Sequence, residues 1–429
     1  MNADRHKRRN MIQNLAIACL SVTAVLLFAQ LQLYNLNLPE DSHYLERLTG
    51  VLPDSSPSQL REFSAPVRVV MTDSYGRYGS LSLSTNSGSF SALGLREALG
   101  ALHSLTASTE DAFRTALSGT SIYFDFLHPL PLSVLAGLIG VDETALTGNA
   151  RCLLLSAGSG GTVQLYLWDG GQSFYVGNIP ASSLSVETLT ETVSQPGFGG
   201  VSFAFDNVEV NPLYGELFPL SILPTELPEM PVLSASSPLA DTSWLLPAFG
   251  FNSNTKERYT EADGTEVITE VDTNRSLHIQ PNGEVVYRSG TEATLEISSQ
   301  DEVPTETEAV LGAAILLQQL TEDFSGEAEL YLESIQQTGE TTRLQFGYHI
   351  GGVPICFSDG GSAAQVTLSG RYLTSLTLRF RQYSSTNETS LLLPLRQTLA
   401  ITAEHPGAEL SVGYADSGGD TVSASWLAD

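Results

Sequence analysis

The sequence predicts an α+β fold behind a single N-terminal transmembrane helix, with a multi-domain ectodomain of antiparallel sheets and packed helices. Three observations predict it. An uncharged apolar run near the start is long enough to cross a hydrocarbon core. Short runs of alternating apolar and polar residues, punctuated by Gly, Asn and Asp, recur along the rest of the chain. A few stretches between them change to helical phase.

The N-terminus comes first. Four of the 20 basic residues (Arg5, Lys7, Arg8, Arg9) lie in the first ten positions, a basic cytoplasmic tail over 1–10. No charged residue occurs between Arg9 and Glu40, and "MIQNLAIACLSVTAVLLFAQLQLY" (11–34) reads as the membrane helix. Basic residues before it and an acidic chain after it predict an inside N-terminus and an extracytoplasmic remainder. Cleavage after Ala29 is the rival reading, but Leu27 and Phe28 make a poor small-residue motif. Within the helix, Ala16, Cys19, Thr23, Leu26 and Gln30 fall on an a/d seam of period 3.5. Small and polar side chains there suit close contact with a second helix in lipid. The whole chain of 429 residues carries a formal net charge of −28, a surface that repels nucleic acid and anionic lipid.

Residues 35–65, with "LPDSSPSQ", read as a stalk. An N-terminal α+β domain is expected over 66–205. It opens with the strand "PVRVVMT" (66–72) and a helix in 90–105 starting near Ser91. A helix "STEDAFRTAL" (108–117) follows, with a Ser/Thr N-cap and a stop at Gly119. Then come the strand "SIYFDFL" (121–127) and a short helix (131–140) opened by Pro131 and closed by Gly140. Three strands with tight glycine turns fill 151–177; "GSGG" (158–161) lacks the flanks of a nucleophile or phosphate loop and reads as a turn. Residues 206–241 are rich in proline and read as a connector.

A central hairpin-rich domain is expected over 242–302. "YTEADGTEVITEVD" and "LHIQPNGEVVYRSG" each hold an acidic or amide residue beside glycine between apolar runs. Calcium would need oxygen ligands at alternating positions, and neither stretch supplies them. Asp263-Gly264 and Asn282-Gly283 instead suit two-residue hairpin turns. The C-terminal α+β domain, 303–429, begins with a helix over 303–324 whose Val310, Ala313, Ala314, Leu317 and Leu320 share one face. Five strand-like runs, a helix over 391–402 and two short strands complete it.

Motifs of reactivity are sparse. None of the seven histidines sits at metal-ligand spacing, and His349, in a strand, reads as a packed or surface residue rather than a ligand. Cys152 and Cys356 read as two separate buried thiols, and a disulfide between them has no spacing rule behind it. Asp416 and Asp420 bracket "SGG" and suggest a loop. No catalytic residue, metal or cofactor is expected. An alternative class is a cell-wall-component binding or hydrolytic module that uses Tyr166, Trp168, Phe174 and Tyr175 on adjacent strands; the competing reading places these aromatics in the core.

Several stretches also carry a family resemblance. They are "FGFN" (249–252), "YTEADGTEVITE" (259–270), "LHIQPNGEVVY" (277–287), "LQFGYHIGGVPI" (344–355), "RFRQY" (379–383) and "LLPLRQTLA" (392–400). With the basic tail, anchor and acidic ectodomain, the chain resembles the YycH/YycI family of Gram-positive bacteria. It is closer to YycH because of its additional N-terminal domain, and its C-terminal domain is YycI-like. The resemblance implies a non-catalytic, membrane-anchored regulator of the cell-wall two-component system WalK–WalR (YycG–YycF). The implied partners are a membrane histidine kinase of the WalK/YycG type, the membrane itself and a YycI-like paralogue as heterodimer.

Overall fold

The structure is a computed structural model. It describes residues 66–428 except 82–92, 142–143, 159, 195–199, 240–241, 252–255, 292, 294, 298–302 and 323. The seam residues Ala16, Cys19, Thr23, Leu26 and Gln30 lie outside the described residues, as does Ser91. No helix among the described residues is long and apolar enough to cross a membrane. All of them belong to one compact unit, Asp54–Asp429.

The fold is α+β, with mostly antiparallel sheets and seven α-helices among the described residues. The first sheet takes its strands from β1 (Arg68–Thr72), β2 (Tyr78–Leu81), β3 (Thr106–Ser108), β4 (Ser121–Pro131), β5 (Asn149–Ala157), β6 (Val163–Trp168) and β7 (Phe174–Ile179). Their order is β2-β1-β4-β5-β6-β7-β3. Alternation along β5 divides its side chains between two faces. Cys152 and Leu154 join Phe113, Tyr123, Trp168 and Phe174 in one core cluster. Ser156, on that face, donates to the carbonyl of Ala116, which lies on helix α2 (Glu110–Leu117). Leu155 points the other way, toward Gly94 at the start of α1 (Leu95–Ala101).

Local chemistry explains where these helices begin and end. Thr109 caps α2, its hydroxyl accepting from the Ala112 amide at 3.2 Å. Helix α1 is shorter than its apolar pattern predicts. Its N-cap is Gly94, whose φ of 85° breaks the helix on the upstream side. Pro131 is the cap of α3 (Leu132–Leu138) and the last residue of β4, so strand passes into helix with no loop between them. Gly140 at φ 79° follows the end of α3. Helix α4 (Val186–Val193) is capped by the Ser185 hydroxyl.

After the small pair β8 (Val201–Phe203) and β9 (Ile222–Pro224) the chain enters a 13-stranded sheet. Its strands are β10 (Pro231–Ser236), β11 (Lys256–Thr260), β12 (Glu266–Glu270), β13 (Ser276–Ile279), β14 (Glu284–Arg288), β15 (Glu329–Thr338), β16 (Thr341–Ile350), β17 (Val353–Phe357), β18 (Ala364–Ser369), β19 (Tyr372–Arg379), β20 (Gln382–Thr389), β21 (Leu410–Asp416) and β22 (Thr421–Ala428). The order is β11-β12-β13-β14-β19-β18-β16-β17-β21-β22-β10-β20, with β15 on the other flank of β16. The sheet divides at β16. Its first part pairs with β18 and its last residues with β17. Pairing is antiparallel apart from β17 with β21.

Three features of this sheet differ from the sequence pattern. The proline-rich stretch expected as a connector supplies β10, held between β22 and β20. Strand pairing of β14 with β19 runs through the boundary expected at 302/303. The long run at 372–383 breaks at Phe380-Arg381 into two strands, because Arg381 turns to bind Asp416. Helix α5 (Leu245–Ala248) precedes the hairpins. Helix α6 (Glu306–Thr321) crosses the sheet with Val310, Ala313, Ala314, Leu317 and Leu320 all buried, and Thr305 and Glu308 form a reciprocal capping box. Helix α7 (Leu395–Thr402) starts after Pro394.

The two hairpin turns are three-residue loops, not two-residue ones. The Gly264 amide donates to the carbonyl of Glu261, and the Glu261 amide to that of Thr265. Gln280, Gly283 and Glu284 repeat the pattern. Only the glycines take positive φ, 89° at Gly264 and 90° at Gly283. This is a type I turn closed by a left-handed glycine bulge. Asp263 and Asn282 serve it differently from the expectation: each side-chain Oδ1 accepts the amide two residues on, from Thr265 at 2.9 Å and Glu284 at 3.0 Å.

Gly283 carries a second constraint. A Cβ there would lie 2.5 Å from both the Phe380 carbonyl oxygen and the Ser237 hydroxyl, whereas at Gly264 the nearest atom is Pro281 Cγ at 3.1 Å. Gly283→Ala should therefore cost about 2–3 kcal/mol and Gly264→Ala about 1 kcal/mol. Urea midpoints of the two variants test this, and equal losses would contradict it.

Candidate functional site

The charged core of the molecule lies where the first sheet meets the second. Arg68 on β1, Asp125 on β4 and Arg151 on β5 come from adjacent strands. Glu409 arrives from the segment before β21. Arg68 Nε donates to Asp125 Oδ2 at 2.9 Å, and its Nη2 donates to the same oxygen and to Glu409 Oε1 at 2.8 Å. Arg151 Nη2 donates to Glu409 Oε2, and Arg151 Nε lies 3.9 Å from Asp125 Oδ1. Burial alone would raise the Asp125 carboxyl, but the Arg68 and Arg151 charges more than offset it and hold it below the usual carboxylate range. Burial likewise opposes the Arg68 charge, and Asp125 and Glu409 more than restore it.

Asp125 also shapes the backbone. Its Oδ1 accepts the Leu127 amide at 2.8 Å, and Leu127 sits at φ 63°, in the left-handed region. The register of β4 against β5 shifts between Asp125 and Leu130, so 126–129 bulge out of the sheet. The bulge reaches the second sheet, where the His128 ring stacks on Tyr331 with centroids 6.2 Å apart and planes 6° from parallel. A second seam joins α3 to α6: Thr307 Oγ1 donates to the Ser133 carbonyl, and Gly137 leaves room for the Thr307 methyl.

Arg68, Leu127, His128, Arg151, Tyr331 and Glu409 line a cleft of about 790 Å³. Its walls include Trp168, Phe218, Tyr331, Ile355 and Phe357, with Arg68, Arg151 and Glu409 also exposed to it. The Arg151 guanidinium lies 5.1 Å from the centre of the Trp168 ring. A further cavity of about 610 Å³ lies on the first sheet, where Tyr175, His103, Asn149 and Asp169 meet.

The sequence candidates are distributed as follows. Trp168 and Phe174 are core residues; Trp168 Nε1 donates to the Gly171 carbonyl. Tyr166 packs against that core and Tyr175 borders the smaller cavity. No disulfide joins Cys152 and Cys356. Cys152 is buried, and burial together with Asp125 pushes its thiol up, into an inert state. Cys356 is exposed, contrary to the expectation of two buried thiols, and borders the cleft. Asp263, Gly264, Asn282 and Gly283 lie at neighbouring hairpin tips, with Gly264 beside Pro281. The acidic groups near them are paired, Glu266 with Arg258 and Glu284 with Arg379. Among the described residues no three His, Cys, Asp or Glu side chains are placed to hold a metal.

Sequence reasoning missed Arg68, Asp125, Arg151 and Glu409. One signal was available: Asp125 interrupts the apolar run "SIYFDFL", and a carboxylate in a buried strand requires a partner. It also missed Asp416, read as loop. Arg381 grips it with two bonds, Nε to Oδ2 at 3.0 Å and Nη2 to Oδ1 at 2.9 Å. Tyr383 donates to Oδ2 at 2.8 Å and the Gly418 amide to Oδ1 at 2.7 Å.

This arrangement defines an α+β protein with an ion-paired cleft between two sheets. No family model, curated protein or solved structure matches the chain.

His349 is buried on β16, 3.8 Å from the Glu329 carboxylate. Its Nδ1 accepts the Gly352 amide at 3.4 Å, consistent with a neutral ring. Burial lowers its pKa from 6.5 to about 4, outweighing a half-exposed carboxylate. The unfolded chain therefore binds more protons than the folded one between those values. Stability should fall as pH drops from 6.5 toward 4, with His349 contributing roughly 3 kcal/mol to the loss. Urea unfolding at several pH values should show a shallower slope for His349→Gln; an unchanged slope would contradict this assignment.

Proposed function

We propose that this chain is a membrane-anchored extracytoplasmic accessory protein that regulates a cell-wall-sensing histidine kinase of the WalK/YycG type, without chemistry of its own. Residues 11–34 span the membrane once, with the N-terminus inside, and the α+β ectodomain stands outside. Contacts run through the transmembrane helix and the ectodomain, and a YycI-like paralogue is the second partner.

The observation that carries this reading is the placement of the stretches behind the family resemblance. Residues 259–270, 277–287 and 344–355 supply β12, β13, β14, β16 and β17, and 379–383 closes β19 and opens β20. They are scattered over more than a hundred positions, yet they meet in one sheet. A pattern of turns alone would not require that. The state of the titratable groups adds to it: the cleft charges satisfy one another, the Cys152 thiol is pushed up and His349 is held neutral.

A tether raises the effective concentration of the ectodomain beside a membrane partner. The helix adds specificity if Ala16, Cys19 and Thr23 let a second helix approach. Replacing these three together by leucine preserves apolar length and fills the seam. Copurification of the full-length chain with its kinase should fall at least about tenfold, with the protein still in the membrane fraction. A poly-leucine segment of equal length that retains full copurification and regulation would contradict the seam. Capture of no histidine kinase by the wild-type chain would overturn the function.

A further inference from the structure

We propose that the cleft between the two sheets is a binding site for a ligand that carries a carboxylate beside an apolar or ring-shaped body. Glu409 is the resident carboxylate that this ligand replaces. The proposal goes beyond the regulator reading and does not depend on it.

The clamp itself belongs to the first sheet. Arg68 and Arg151 stand on β1 and β5, and Asp125 between them fixes Arg68 through Nε. Two guanidiniums against one carboxylate leave this sheet with one positive charge in excess at the mouth of the cleft. Glu409, from outside that sheet, supplies the missing negative charge. Each of its oxygens is taken by a different arginine, Oε1 by Arg68 and Oε2 by Arg151. Such two-point recognition is what a carboxylate ligand requires.

Glu409 can leave by its side chain alone. The backbone before it stays pinned, the Gly407 amide donating to the Glu216 carbonyl at 2.7 Å and the Phe218 amide to the Ala408 carbonyl at 2.9 Å. Beyond the clamp the partly exposed rings of Phe218 and Phe357 offer surfaces for the rest of a ligand, while Trp168 and Tyr331 line the cleft but are buried.

The energetics favour exchange over simple addition. Desolvating the two arginines is the costly part of a buried ion pair, and the resident carboxylate has already met that cost. A ligand has only to outcompete a tethered group whose effective concentration is on the order of millimolar. Contacts of the ligand body with the aromatic walls supply that margin. Exchange also removes the Glu409 ion pairs from between the two sheets, so occupancy is read as a loosened junction.

The test uses thermal unfolding and calorimetric titration of the full-length chain. Two probe pairs separate the sources: N-acetylphenylalanine against its amide, for a peptide C-terminus, and glucuronate against glucose, for an acidic sugar. At least one carboxylate probe should bind the wild-type chain saturably and its neutral counterpart should not; which pair responds identifies the source. Glu409→Gln empties the clamp of charge and should bind that probe at least about tenfold more tightly. Acetate alone should then raise the melting temperature of Glu409→Gln and leave the wild type unmoved. Arg151→Gln should abolish binding. If Glu409→Gln does not fold even with acetate, the wild-type and Arg151→Gln titrations decide. Absence of carboxylate-dependent binding to the wild-type chain, or equal binding of acid and neutral probes, overturns the proposal.

Discussion

Asp125 must be ionised in a place where ionisation is expensive, and much of the molecule is arranged around that demand. Its carboxylate sits in a buried strand next to Tyr123 and Phe124, which are almost wholly shielded from solvent. An isolated charge there would be driven to its neutral form. Arg68 and Arg151 supply the compensating charge, and their own excess is met by Glu409. Removing one member of such a lattice typically costs about 3–5 kcal/mol, because a buried charge is left unpaired. Glu409 lies 341 and 258 positions from its two arginines, so the full lattice forms only when both sheets are in place.

Geometry follows from the same carboxylate. Its second oxygen holds the Leu127 amide and supports a backbone conformation that an L-residue seldom adopts. The resulting bulge breaks the β4–β5 ladder and carries His128 across to Tyr331. The cleft is the space this bulge and the ion pairs leave between the sheets. A second lattice, Arg381 with Asp416 and Tyr383, does comparable work inside the larger sheet. It ends β19, redirects the chain into β20 and fixes the β21–β22 turn through the Gly419 carbonyl.

The elements that could be read from the sequence are those decided by near neighbours. Thr109 announces its helix because a cap needs only the next three residues. The apolar face of α6 is periodic, and the glycine turns at 264 and 283 mark hairpins whatever the partner strands are. Turn length was misjudged because Asp-Gly and Asn-Gly suit two loop types. Hydrogen bonds from Thr265 and Glu284, not the dipeptide, select the longer one. Long-range pairing was not legible. Nothing in "PVLSAS" says that it fits between β22 and β20, and Pro231 argues for a linker. The site was hidden for the same reason. Arg68, Arg151 and Glu409 are ordinary charged residues until the strands bring them to Asp125.

The two sheets should behave as one cooperative unit, because Glu409 locks onto Arg68 and Arg151. Native-state hydrogen exchange of the full-length chain measures this most directly. In the wild type, amides of β1, β4 and β5 should open with the same free energy as those of β17 and β21. In Glu409→Gln the two groups should separate, with the first sheet opening at least about 1.5 kcal/mol more easily than the second. Two separate opening energies already in the wild type, or identical ones in both proteins, would contradict the account.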